Sequence, residues 1–166
     1  ALEEVWRQYP QDGPVRLQLS TTLSTNAIVE GKGVPTQVVA IPGPGVNLAS
    51  LGLPFTVHEL SGYIDHRGRE VAPLEPAELR GLRTLLGTGE GEAVAVVGKF
   101  SQRNPSHEQQ VGAELEKWYR GTICLGHRLS GRANFPRRMI TAFLNARVAK
   151  QQLEFVQMWQ RVLTDL

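Results

Sequence analysis

Five successive apolar residues, Ala93 to Val97, interrupt a chain in which apolar positions otherwise alternate with polar ones or recur every three to four residues. A run with no polar side has no face to give to water, so it predicts a central strand covered on both faces. Thr36 to Ile41, β-branched and wholly apolar from Val38 onward, predicts a second strand of that kind, and Thr122 to Leu125 a third, shorter one. Val15, Leu17 and Leu19 alternate with Arg16, Gln18 and Ser20, the period of a strand with one wet face. Phe55 to Ile64 and Arg69 to Val71 flank Asp65-His66-Arg67-Gly68, a type I turn with glycine placed for a bulge, and so predict a hairpin.

The helical period appears five times. Leu2, Val5 and Trp6 read as the last turns of a helix already under way, as in a piece cut from something longer; Leu23, Ala27 and Ile28 form the stripe of a short helix ended by Gly31 or Gly33. Pro76 opens a helix whose Leu79, Leu82, Leu85 and Leu86 share one face before Gly87. Ser106 is placed to cap a helix running to Tyr119, with Glu108 in its first turn and Val111, Leu115 and Trp118 inside. Pro136 to Leu163 can carry one long helix, with Ile140, Phe143, Leu144, Val148, Phe155, Trp159 and Val162 for packing. Strands alternating with helices give an α/β class: a mostly parallel sheet with helices on its faces plus one β-hairpin. No internal repeat or low-complexity segment disturbs this pattern.

Composition narrows the picture. The chain has 166 residues, 41% of them hydrophobic, which suits one α/β domain over 1–166 with its own core. Eighteen basic against 16 acidic residues leave no strong field for nucleic acid or an anionic membrane surface. The single cysteine, Cys124, excludes an intramolecular disulfide and lies in an apolar run, so a buried thiol in a reducing, cytoplasmic setting is expected. No apolar run approaches the ~20 residues of a membrane helix.

Candidate chemistry gathers in three places. In STTLSTNAIVEGKG (20–33), Ser20, Thr21 and Thr22 can cap the short helix, and a helix start rich in hydroxyls is also a place for an anion. Thr22 and Asn26, four apart, share a wet face that capping alone does not explain. Lys99, Ser101, Arg103 and Asn104 follow the central strand, at the edge where ligands bind in open α/β sheets. Arg128, Arg132, Arg137 and Arg138 crowd the approach to the long helix, as a solvated loop or as an anion site. The proline- and glycine-rich loop Pro42 to Gly52 reads as conformational. His58 and Glu59 lie at the far end of the hairpin from Asp65 and His66, so no metal is expected there. Neither a Walker loop nor a Gly-x-Ser-x-Gly elbow is present, and Cys124 has only His127 near it as a base.

Three blocks together resemble the hydantoinase/oxoprolinase family. TTLSTNAIVEGKG (21–33) is similar to its TTxxTNAxxExKG signature, and GKFSQRNPSHEQ (98–109) to its segment of a strand ending in Phe-Ser, then Asn-Pro, then a helix opening on His-Glu. LSGRANFPRRMITAFLNA (129–146) resembles its Arg-x-x-Thr-x-x-Leu-Asn-Ala helix through Arg138, Thr141, Leu144, Asn145 and Ala146. Where many members have His-Gly before the paired threonines, this chain has Leu19 and Ser20.

The resemblance implies part of an actin-like, ribonuclease H-like ATPase domain of a longer protein that couples ATP cleavage to opening a cyclic amide such as hydantoin or 5-oxoproline. It also implies ATP and a divalent cation in the intact protein, and a phosphate-binding Gly-Gly-Thr hairpin, whereas this sequence contains no Gly-Gly pair. The isolated piece is therefore expected to hold no cofactor and to be inactive. Expected partners are the rest of such a chain or a partner subunit and a small-molecule substrate, with no nucleic acid and no membrane. Thr21, Thr22, Asn26, Ser101, Asn104, Arg138 and Asn145 are the residues expected to bind substrate or nucleotide. The alternatives are a catalytically silent interaction domain derived from this family and a small-anion-binding module.

Overall fold

In the chain's computed structural model, Glu4, Arg7, Gln8, Gly13, Arg16, Gln18 and residues 20–164 are described. The helix expected at Leu2, Val5 and Trp6 and the strand expected at Val15, Leu17 and Leu19 fall on residues outside that set. The described elements are α1 (Leu23–Val29), β1 (Thr36–Ile41), a 3-10 turn (Leu48–Leu51), β2 (Val57–Glu59), β3 (Tyr63–Ile64), β4 (Glu70–Ala72), α2 (Pro76–Leu86), β5 (Ala93–Gly98), α3 (Ser106–Glu116), β6 (Thr122–Leu125), α4 (Gly126–Leu129) and α5 (Phe135–Thr164).

Four strands form a parallel sheet in the order β2-β1-β5-β6. Every residue of β5 is buried, as its unbroken apolar run requires. The period of two divides its side chains cleanly. Val94 and Val96, with Val39 and Ile41 of β1, meet Leu82 and Leu86 of α2 and Val111 and Leu115 of α3. Ala93, Ala95 and Val97, with Val38 and Ala40, meet Phe135, Met139, Ala142, Phe143 and Ala146 of α5. Alanine on both sides of this second layer lets the long helix lie close to the strands while Phe135 and Met139 fill the space that remains. The protein is thus α/β, a mostly parallel sheet with helices on both faces plus one hairpin.

That hairpin is shorter than its sequence suggests. Only Tyr63–Ile64 pairs antiparallel with Glu70–Ala72; Val57–Glu59, expected in the same hairpin, instead pairs parallel with β1. The two pieces separate at Gly62, whose φ of 115° takes the chain out of the strand conformation at no steric cost to glycine. The turn itself forms as expected. The Gly68 N–H donates to the Asp65 carbonyl at 2.9 Å, Gly68 has φ 84°, and Asp65 Oδ1 accepts from the Arg67 and Arg69 amides.

Smaller corrections concern helix ends. The Lys32 N–H reaches the Ala27 carbonyl at 2.9 Å and the Gly31 N–H reaches Ile28 at 3.2 Å, a Schellman ending in which Gly31 takes the left-handed position. Of the expected α1 stripe, Ala27 is buried, whereas Ile28 is 37% exposed. Asn104, not Ser106, satisfies the start of α3, its Oδ1 accepting from the Ser106 N–H at 3.0 Å. That helix stops at Glu116, three residues before the expected Tyr119. Ile140, expected inside, is 40% exposed on the outer face of α5.

Candidate functional site

β5 ends at Gly98, and the carboxyl edge there is built around two buried ions from different helices. Glu108, in the first turn of α3, is fully buried. Its Oε1 accepts from the Gly98 N–H at 2.8 Å, and its Oε2 accepts from the His127 N–H at 2.8 Å and lies 2.6 Å from His127 Nδ1. Two backbone N–H groups and a ring nitrogen thus satisfy a carboxyl group that water does not reach. A β-carbon at position 126 would stand 3.2 Å from Glu108 Oε1 and from both Val97 methyls, so glycine is what lets α4 come this near.

Arg138, on the first turns of α5, is 1% exposed. Its Nη2 donates to the Gly98 and Lys99 carbonyls, the second at 2.7 Å, and its Nη1 to Gln102 Oε1 and, at 3.0 Å, to the Arg132 carbonyl. Gly98 is therefore gripped through its N–H by an anion and through its C=O by a cation. Burial pushes the guanidinium pKa down, and the charge of Glu108 opposes that shift.

Beside them, Asn104 Nδ2 donates to the Gly68 carbonyl at 2.9 Å, which ties this loop to the hairpin turn. Ser101 is buried, and its hydroxyl has no hydrogen-bond partner. The cavity among Gly98, Lys99, Ser101, Asn104 and His107 measures about 10 Å³, room for one water at most.

A larger opening lies to the side. Between α1 and α5, next to Cys124 of β6, a cleft of about 720 Å³ is lined by Thr21, Ser24, Asn145 and Gln152 among the apolar side chains Ile28, Leu129, Leu144, Val148, Leu153 and Val156. Ser24 Oγ donates to Gln152 Oε1 at 2.8 Å across the cleft and holds the two helices together. Asn145 Nδ2 donates to the Thr141 carbonyl at 2.8 Å, one turn back along α5. Burial pushes the Cys124 thiol pKa up, which disfavours its thiolate form.

The seven candidate residues thus fall into three settings. Thr21 and Asn145, from opposite ends of the chain, meet in the cleft. Ser101, Asn104 and Arg138 gather at the carboxyl edge. Thr22 and Asn26 stand exposed at the start of α1, bonded to each other through Asn26 Nδ2 and Thr22 Oγ1 at 3.2 Å. The same-face reading of those two residues is therefore correct in geometry.

Glu108 and His127 are the pair that sequence reasoning passed over. A glutamate in a first helical turn is ordinary, and nothing local says that it will be buried against residues on two other elements. The other histidines have their own settings. His58 lies 2.7 Å from Gln37 Oε1, its pKa lowered by burial, and His107 lies 2.8 Å from Glu70 Oε1. Among the described residues no group of three His, Cys, Asp or Glu side chains is arranged to hold a metal, and no helix is long and apolar enough to cross a membrane.

Comparison with known proteins gives a consistent result. The model of the hydantoinase/oxoprolinase N-terminal region matches residues 1–119. Among solved structures, an ATP-dependent caprolactamase from Pseudomonas jessenii superposes with a TM-score of 0.71 at 23% identity, over 86% of this chain and 24% of that one. A nucleotide-free acetone carboxylase, from work on ATP-dependent acetone carboxylation, superposes with a TM-score of 0.64 at 17% identity, over 77% of this chain and 22% of that one. At these identities the likeness is one of fold, and the chain spans about a quarter of the length of either structure. No curated protein sequence matches.

Proposed function

The chain belongs to the hydantoinase/oxoprolinase family through its N-terminal region, and from that membership we propose that residues 1–166 form one domain of a longer, cytoplasmic enzyme that opens a cyclic amide of the hydantoin or 5-oxoproline type at the expense of ATP. The single observation that carries the reading is the cleft of about 720 Å³, in which Thr21 and Asn145, both from family-like blocks, face one space. Its size is that of a small-molecule site, and apolar walls with a few polar groups suit a neutral ring bearing one or two amides. Among the described residues no cationic side chain lines it, which speaks against the small-anion module.

Nucleotide and metal do not fit the residues present. A triphosphate needs backbone amides or cations to receive its charge; among the described residues no Lys or Arg lines the cleft, the Arg138 Nη groups are bonded to backbone carbonyls and Gln102, and the sequence has no Gly-Gly hairpin. In this reading ATP and the divalent cation are held by the rest of the longer chain or by a partner subunit. This domain supplies one wall of the amide site and the rigid edge behind it. Thr21 and Asn145 contact the ring, Thr22 and Asn26 stand at its mouth, and Arg138 holds the strand end while Asn104, beside Ser101, ties the following loop to the hairpin turn.

The experiment is ATP-dependent ring opening of hydantoin, 5-oxoproline and caprolactam by a longer protein carrying this region, with and without Asn145→Leu. Asn145 is exposed, so the substitution is expected to leave the melting temperature within a degree or two while raising KM on the order of tenfold, the loss of one hydrogen bond to the ligand. Unchanged kinetics on all three amides refute the assignment of the cleft.

A further inference from the structure

Polar atoms buried in a folded chain almost always have a hydrogen-bond partner. Among the described residues, two that find none in the protein share one cavity: the Ser101 hydroxyl and His107 Nδ1, on residues that are 4% and 2% exposed. Both line the space of about 10 Å³ beyond the end of β5.

The groups around them are already engaged. His107 Nε2 stands 2.8 Å from Glu70 Oε1, which sets the ring, and Gly62 covers the Cε1 edge, where a β-carbon would come within 3.2 Å. The Ile41 carbonyl accepts from the Lys99 N–H, the Phe100 carbonyl from the Arg103 and Asn104 amides, and the Gly98 and Lys99 carbonyls from Arg138. Asn104 spends its side chain on the Gly68 carbonyl and the Ser106 N–H. One hydroxyl and one ring nitrogen are left to face a volume that fits a single water. A hard divalent cation would need about six oxygen ligands in the same space. Water both donates and accepts, so it suits this pair whichever ring nitrogen carries the proton.

We propose that one water molecule is bound between Ser101 Oγ and His107 Nδ1 and completes a tie from the loop after β5, through His107 and Glu70, to β4 of the hairpin. The site stands whether or not the protein opens cyclic amides. A two-stranded hairpin has little stability of its own, and this one is held to the loop directly by the bond from Asn104 to Gly68. The water adds a second hold two residues further on, at Glu70. Ser101 thereby has a structural use: its hydroxyl meets the water and not a substrate or nucleotide.

The 166-residue chain serves for the test. A high-resolution crystal structure is expected to show one water within hydrogen-bond distance of both Ser101 Oγ and His107 Nδ1. A dry cavity, a metal ion there or a direct bond from Ser101 to His107 overturns the site, and this observation needs no variant to fold. In solution, Ser101→Ala takes one partner from the water and is expected to lower the melting temperature by about 2–4 °C, the loss of a typical hydrogen bond in a domain of this size. A hydroxyl with no partner would give the opposite sign, because its removal relieves a buried polar group of its cost; an unchanged or raised melting temperature therefore overturns the site as well. Hydrogen exchange at the Asp65 amide, which bonds the Arg69 carbonyl at 2.9 Å within the hairpin, is expected to quicken about fivefold in the same variant. Exchange at the unaltered rate overturns the tie to the hairpin.

Discussion

Replacing Arg138 with alanine should be among the most damaging single changes in this protein, although arginine is usually a surface residue. The side chain is 1% exposed and gives four hydrogen bonds, to the Gly98, Lys99 and Arg132 carbonyls and to Gln102 Oε1. Hydrogen bonds from a charged donor are worth about 1.5–3 kcal/mol each, but they share one guanidinium and do not add. The larger effect is on the acceptors left behind, since the Gly98 carbonyl and its neighbours lose a buried donor, and each buried polar group left unsatisfied costs about 1–3 kcal/mol. We therefore expect a loss of about 3–5 kcal/mol, on the order of 10 °C in melting temperature for a domain of this size. Urea unfolding followed by tryptophan fluorescence measures it directly. Arg137→Ala, at the exposed neighbouring position, is the control and should stay within about 0.5 kcal/mol. Arg138→Lys, which keeps the charge but not the planar fork, should fall between the two. A loss below about 1 kcal/mol for Arg138→Ala would mean that water replaces the guanidinium at no great cost, and the account of the carboxyl edge would then be wrong.

Three further outcomes follow from other parts of the structure. Asn26→Ala should change stability by less than about 0.5 kcal/mol, because its side chain is exposed and bonded only to Thr22; a larger loss in thermal unfolding would assign the residue to the fold, and unchanged turnover in a longer active protein would remove it from the site. The Asp65 carboxyl is held down to about 2 by the Arg69 backbone amide first, and by the Arg69 guanidinium and the Arg67 amide. A pKa below the unfolded value means that its contribution is complete above about pH 4 and is lost as pH falls towards 2. Asp65→Asn, which keeps an acceptor for the two amides, should therefore show a flatter fall in urea midpoint between about pH 5 and about pH 2.5; parallel profiles would refute the linkage. Cys124 should react with iodoacetamide at about pH 8 more slowly than free cysteine, and at the free rate in urea, since burial raises its pKa; equal rates in the folded state would contradict that burial.

The sequence spoke most clearly where burial is two-sided. The apolar runs in β1 and β5 have no polar phase, so their central place in the sheet could be read directly. Val57–Glu59 is different: three residues of mixed polarity fit a hairpin arm and a parallel edge strand equally well, and only pairing with β1 decided between them. The start of α3 misled for a local reason, since Asn104 and Ser106 are both good capping residues and only the structure shows which oxygen meets the amide. Thr21, Asn145 and Arg138 could be named from motif blocks, but not that the first two share a cleft while the third holds a strand end. Glu108 and His127 were invisible because their meaning depends on Gly98 and Gly126, which belong to other elements. Contacts of that range have no local period to betray them.

The order of strands in the sheet also bears on how the chain reaches its native state. β5 takes one neighbour, β1, from far upstream and the other, β6, from across a whole helix, so neither pairing can form by a short turn. Until both are made, Ala-Val-Ala-Val-Val is an uncharged β-prone segment with free edges, the kind of sequence that pairs between molecules. Glu92 before it and Lys99 after it place opposite charges at its two ends. These are gatekeepers in position and sign: on stacking in register each would face its own kind, which disfavours growth of an aggregate while leaving the native sheet untouched. Neutralising both should lower the yield of refolding at high protein concentration with little change in the equilibrium stability of the folded domain.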